Sequence, residues 1–117
     1  MEKLRFGLVG CGKVAELHAR AIGASGASAL VSVCGRDPQK REAFALRHGI
    51  GARGSIAEMI GKDRVEALLI ATPHPSHREF AVEAAESGCH VLVEKPMALT
   101  VADCDAMIAA AAAAGKA

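Results

Sequence analysis

Apolar positions alternate between two patterns along the chain. Short runs rich in valine, leucine and isoleucine occupy residues 5–9, 29–34, 65–71 and 90–94. Between them lie longer segments in which apolar residues recur at helical spacing. Runs of that length and composition, bounded by turn residues, predict buried parallel strands. A weaker run at residues 50–53 is a further, short strand candidate. In the first helical segment Val14, Leu17, His18, Ala21 and Ile22 share one face, and Gly23 with Gly26 supply the stop. That face is expected against the sheet, with His18 as a packed, hydrogen-bonded core histidine; His48 and His90 read as structural. In the last helical segment Val101, Cys104, Met107, Ile108 and Ala111 make the buried face, ending at Gly115. The alanine run 109–114 continues that helix, since alanine is the best helix former. Ser55 with Glu58, Ser76 with Glu79 and Thr100 with Asp103 each fit a capping box or its Asp variant, and Asp37 precedes Pro38.

Strands that alternate with helices need crossover connections, which are right-handed in nearly all parallel sheets. A doubly wound α/β sheet in the order 3-2-1-4-5 follows. With 117 residues and 51% hydrophobic content, the chain has the size of one domain with one core. Fourteen basic residues face thirteen acidic ones, for a formal charge of +1, and no basic run interleaves with aromatics. Nucleic acid therefore has no electrostatic foothold. No stretch reaches membrane-spanning length, and the N-terminus carries no secretory signal pattern. Cys11, Cys34, Cys89 and Cys104 form no C-x-x-C pair, so reduced thiols in a cytoplasmic protein are expected rather than a zinc site or a disulfide framework.

Gly10-Cys11-Gly12-Lys13-Val14-Ala15 is a G-x-G-x-x-A pattern set between a strand that ends at Val9 and an amphipathic helix. In that context the pattern points to a dinucleotide. The first glycine permits a tight turn, the second lets the backbone approach a pyrophosphate, and the small third residue lets helix and strand pack closely. The phosphate then meets free N–H groups at the positive end of a helix.

Specificity for the adenosine ribose is commonly set by an acidic residue at the end of the second strand. Here that position is Gly35, followed by Arg36 and Asp37. Without the carboxylate a 2′-phosphate is not repelled, and the Arg36 guanidinium can pair with it. NADP is favoured over NAD, although NAD stays possible. Asp37 either turns back towards the ribose or caps the next helix, and its place before Pro38 suits the cap. Arg36 either pairs with phosphate, stacks on the adenine or sits solvated.

Two further polar clusters follow the fourth and fifth strands, Thr72-Pro73-His74-Pro75-Ser76-His77 and Glu94-Lys95-Pro96. Both fall at strand carboxyl ends, the edge where open α/β sheets bind ligands. His74 and His77 invite a metal reading, but Pro75 interrupts the spacing and no acidic or thiol ligand accompanies them. No metal is expected. His77 belongs to the turn that opens the next helix, and His74 is expected to line the nicotinamide side of the cleft.

The A-T-P-x-x-x-H of residues 71–77, with G-x-H-V-x-V-E-K-P-x-A-L-T over residues 88–100, resembles the N-terminal domain of the Gfo/Idh/MocA oxidoreductases. The resemblance spans nearly the whole chain. It implies a Rossmann-type, three-layer αβα domain of an NAD(P)-dependent dehydrogenase that transfers hydride between nicotinamide and a sugar, cyclitol or related hydroxyl compound. Gly10, Cys11, Gly12, Lys13, Val14, Gly35, Arg36, Thr72, Pro73, His74, His77, Glu94 and Lys95 are the implied cofactor contacts. Lys95 inherits the catalytic position, near nicotinamide and substrate. The family continues into a further strand and a substrate domain, so the chain is expected to be a fragment, truncated before its last strand and inactive alone. Its sheet edge beside the fifth strand should then be exposed, and a homo-oligomer is expected at full length. A stand-alone NAD(P)-sensing module is the alternative; Glu94-Lys95-Pro96, which a sensor has no need to keep, weighs against it.

Overall fold

A computed structural model describes residues 2–117, apart from the side chain of His74. Five strands and five helices alternate. They are β1 (Leu4–Val9), α1 (Lys13–Ala24), β2 (Ser28–Cys34), α2 (Pro38–His48), β3 (Gly51–Arg53), α3 (Ile56–Asp63), β4 (Ala67–Ile70), α4 (His77–Glu86), β5 (His90–Val93) and α5 (Val101–Ala113). The strands form one sheet in the order β3-β2-β1-β4-β5, and each neighbouring pair is parallel. The expected topology is observed, and the weak run at residues 50–53 does supply β3.

Strand residues alternate between faces and build two cores. On one face Leu8, Val33 and Leu69 pack with Ala15, Ala19 and Ile22 of α1 and with Phe44 and Ala45 of α2. On the other, Val9, Cys34, Leu68 and Ile70 pack with α3, α4 and Met107 of α5. The result is three layers, helix on sheet on helix.

The buried face of α1 differs from the expected one. Ala15, Ala19 and Ile22 are buried, whereas Val14 is 44% and Leu17 65% exposed. Ile22 alone is shared with the expected face, and beside it two alanines, which have no side chain beyond Cβ, let the helix lie close on the sheet. His18 is therefore half-buried rather than in the core. In α5 only Met107 is buried, and Val101 and Ile108 are exposed. This helix rests on α4 rather than on the sheet, so the predicted apolar face is only partly covered, with Cys104 and Ala111 half-buried.

The helix starts are only partly as expected. Asp37 accepts from the N–H groups of Gln39 and Lys40, Ser55 from Glu58 and Thr100 from Asp103. Ser76 stands at the N-cap of α4, but its side chain makes no capping bond: it ends a 3₁₀ turn, and its hydroxyl donates to the Pro73 carbonyl at 2.6 Å. The Glu58 carboxylate returns to Gly54 N–H rather than to Ser55. The free edge of β5 is also partly paired, since Val91 N–H donates to Ala117 O at 2.9 Å and Ala117 N–H donates to His90 Nδ1 at 3.1 Å. All four cysteines are free thiols, and burial pushes Cys11, Cys34 and Cys89 above the usual thiol range.

Candidate dinucleotide-binding site

Because every strand runs the same way, the loops that follow them share one edge of the sheet. Gly10 to Lys13 after β1, Gly35 and Arg36 after β2, Thr72 and Pro73 after β4, and Glu94 and Lys95 after β5 all lie there. The chain reverses its winding between β1 and β4, and at that switch point adjacent loops part to leave a crevice.

The glycine turn sits at the switch point. Gly10 N–H donates to Cys34 O at 2.8 Å, which ties the turn to β2. Gly10 has φ +109°, and a Cβ there would lie 2.8 Å from the Ala71 carbonyl oxygen after β4. Neither that backbone angle nor that approach is open to a residue with a side chain. Gly12 is different: its φ is −86°, and a Cβ there would meet nothing within 4 Å. The fold does not need a glycine at this position. Gly12 is also the N-cap of α1 and offers no side-chain cap, so the first N–H groups of the helix face an open space. The residues present therefore fit an anionic group laid across the turn.

Two grooves flank it. The first, about 370 Å³, is lined by Cys11, Gly12, Lys13, Glu16, Lys40 and Arg47. Glu16 accepts from Arg47 and lies 2.8 Å from His48 Nε2, which joins α1 to α2 and holds the Glu16 carboxyl below the usual carboxylate range. Arg47 is thus committed to Glu16. Among the described residues Lys13, Arg36 and Lys40 form no ion pair. Asp37 is occupied as the cap of α2 and does not turn back towards a ribose. Gly35 packs against the Cys11 thiol, and its carbonyl accepts from Arg41 at 2.9 Å.

The second groove, about 310 Å³, is lined by His18, Leu69, Leu92, Val93, Glu94 and Lys95. His18 Nε2 lies 2.7 Å from Glu94 Oε1, and Glu94 Oε2 accepts from Lys95 N–H at 3.2 Å. The hydrogen bond from His18 is the main cause holding the Glu94 carboxyl below its ordinary range. The Lys95 side chain is exposed and forms no ion pair among the described residues.

His77 does not lie open at this edge. Its side chain is fully buried, with Nδ1 2.9 Å from Pro96 O and Nε2 2.8 Å from Thr72 O. The ring stands between the loop after β4 and the loop after β5. The Thr72 hydroxyl lies 2.7 Å from Ser76 Oγ. The His74 side chain, expected along the cleft, lies outside the described residues.

The sequence reading missed Lys40 and the His18–Glu94 pair. Lys40 was accessible in principle, because the first turn of a helix that follows a strand faces the same edge. His18 was hidden by its place on an apolar stripe that the fold leaves half open.

Residues 4–117 match the oxidoreductase family profile described as Gfo/Idh/MocA, NAD-binding Rossmann fold. The chain belongs to this family. It is 37% identical over 113 residues to the 1,5-anhydro-D-fructose reductase of Ensifer adhaerens, covering 95% of this chain and 34% of that protein. It is 32% identical over 116 residues to the inositol 2-dehydrogenase of Ralstonia nicotianae, covering 97% of this chain and 34% of the relative. Among solved structures, the WlbA dehydrogenase of Bordetella pertussis, in complex with NADH and UDP-GlcNAcA, superposes with a TM-score of 0.92 at 37% identity, over 98% of this chain and 36% of that one. The chain thus spans about a third of the length of the curated relatives it matches. It is a nicotinamide-dinucleotide-binding Rossmann domain, and no helix among the described residues is long and apolar enough to cross a membrane.

Proposed function

We propose that this chain is the dinucleotide-binding domain of a longer, NADP-preferring dehydrogenase that oxidises a hydroxyl of a sugar, cyclitol or related polyol. The observation that carries the reading is the bare N-terminus of α1 at the switch point, where Gly12 leaves open a space that the fold itself does not require. When bound, the nicotinamide supplies hydride transfer. The protein's residues do the rest. Gly10 makes the turn, its own N–H held by Cys34 O, and Cys11, Gly12, Lys13 and Val14 offer backbone N–H groups to the pyrophosphate. Thr72 and Pro73 border the crevice from β4. Lys95 presents an ammonium at the end of β5, where it can hydrogen-bond the reacting oxygen and stabilise the charge that develops on it.

The preference for NADP rests on charge. Gly35 removes the carboxylate that would accept from both ribose hydroxyls, and Arg36 and Lys40, just after β2, are cations that form no ion pair among the described residues. The NADH held by the WlbA relative shows that this family's fold also accepts the cofactor without the phosphate. A charge-assisted hydrogen bond contributes about 1.5–3 kcal/mol, or roughly a tenfold or greater preference. Calorimetric titration with each cofactor should give that ratio, and Arg36→Ala should remove most of it. Tighter binding of NAD, or an Arg36→Ala variant with unchanged NADP affinity, overturns the preference. Substrate contacts belong to a further domain in this reading, and the whole enzyme is a cytoplasmic homo-oligomer.

A further inference from the structure

In the sheet, β4 separates β1, and the helix that follows it, from β5. A side-chain pair spans the gap. His18, in the second turn of α1, reaches the Glu94 carboxylate just past the end of β5, 2.7 Å away. The other carboxylate oxygen accepts from Lys95 N–H. Glu94 therefore has one oxygen on α1 and the other on the peptide that carries Lys95. Stability does not account for the arrangement: the side chains are 28% and 30% exposed, and pairs so exposed contribute about 0–1 kcal/mol. What the arrangement does is restrict the backbone from which the Lys95 side chain departs. On the far side of Lys95, the Pro96 carbonyl oxygen lies 2.9 Å from Nδ1 of His77, the first residue of α4.

The geometry points to His18 as a positioning residue for Lys95, acting through the Glu94 carboxylate. This rests on the reading of Lys95 as the group that meets the reacting hydroxyl. His18 stands six residues beyond Gly12 on the same helix, about 9 Å along its axis. The helix whose N-terminus faces the pyrophosphate thereby also sets the Lys95 peptide, so that the ammonium and the cofactor share one rigid reference. A floppy segment would leave the lysine to sample many rotamers, most of them useless for the reaction.

Two measurements separate the inference from its premise. In proton–nitrogen NMR spectra of the chain, the Lys95 amide should be shifted downfield and exchange slowly. His18→Ala should move that resonance and speed its exchange by about three- to tenfold, the effect of one modest hydrogen bond. His18→Gln, whose side-chain amide can donate to Glu94, should restore it. In the whole enzyme His18→Ala should lower kcat by a similar factor while KM for the dinucleotide stays unchanged, and His18→Gln should recover the rate. An unmoved Lys95 amide in His18→Ala overturns the inference. So does normal turnover in His18→Ala beside a collapsed Lys95→Met. Normal turnover in Lys95→Met, with the amide still dependent on His18, refutes instead the role of Lys95 and leaves His18 a purely structural link.

Discussion

Valine in place of Gly12 tests dinucleotide binding at a position where fold and ligand make opposite demands. The backbone there is extended, at φ −86° and ψ −165°, which valine adopts without strain. Its Cβ would touch nothing within 4 Å. The cost to the fold is then limited to replacing glycine at an N-cap with a poorer residue, about 1 kcal/mol or less. The ligand meets a different situation. A branched side chain stands where a pyrophosphate must approach the N–H groups of α1, and losing one or two charge-assisted hydrogen bonds costs about 2–4 kcal/mol. Affinity should fall roughly 30- to 700-fold. Fluorescence titration with reduced dinucleotide reads the affinity, and denaturant unfolding reads the stability. Gly10→Ala should behave in the opposite way. At φ +109°, with the Ala71 carbonyl oxygen 2.8 Å from the new Cβ, it should destabilise the fold by about 1–3 kcal/mol from backbone strain alone. A Gly12→Val chain that folds normally and binds dinucleotide as well as the parent would refute the placement of the pyrophosphate over this turn.

Lys95→Met in the whole enzyme should depress turnover by about 10²–10⁴-fold at saturating cofactor while dinucleotide affinity changes little; steady-state kinetics checks this, and near-normal turnover removes the lysine from the chemistry. Gly35→Asp alone should bind NAD poorly, because its Cβ would lie 2.7 Å from the Cys11 sulfur, whereas Gly35→Asp with Cys11→Ala should shift the preference towards NAD in calorimetric titration. Arg53 donates twice to Asp63, at 2.7 and 2.9 Å, and holds its carboxyl below the ordinary range. A carboxyl depressed in the folded state contributes stability above the unfolded value of about 3.9 and loses it as pH falls through the folded value. Asp63→Asn should therefore destabilise the chain by about 1–3 kcal/mol at pH 7, with the difference shrinking below about pH 4 in urea unfolding followed against pH.

The sequence alone determined what depends on neighbours along the chain. Runs of branched apolar residues specify strands, Asp37 and Thr100 specify helix starts, and Gly10 specifies a turn with positive φ, because each is decided within a few residues. The order of the sheet was legible for the same reason, since parallel strands joined by helices leave few topologies. Tertiary structure decided what depends on residues far away in sequence. Helical spacing along α1 pointed to Val14, Leu17, His18, Ala21 and Ile22, yet only Ile22 of these is buried, beside Ala15 and Ala19; what packs beneath the helix is set by the sheet, which the local pattern does not contain. The same packing left His18 at the edge, where it meets a carboxylate 76 positions away. The two carbonyls that face the ring nitrogens of His77 likewise lie on loops that only the folded sheet brings together. Hydrogen bonds and close packing act over a few ångströms of space, so a pattern read along the chain detects them only where the chain's own path keeps those partners near.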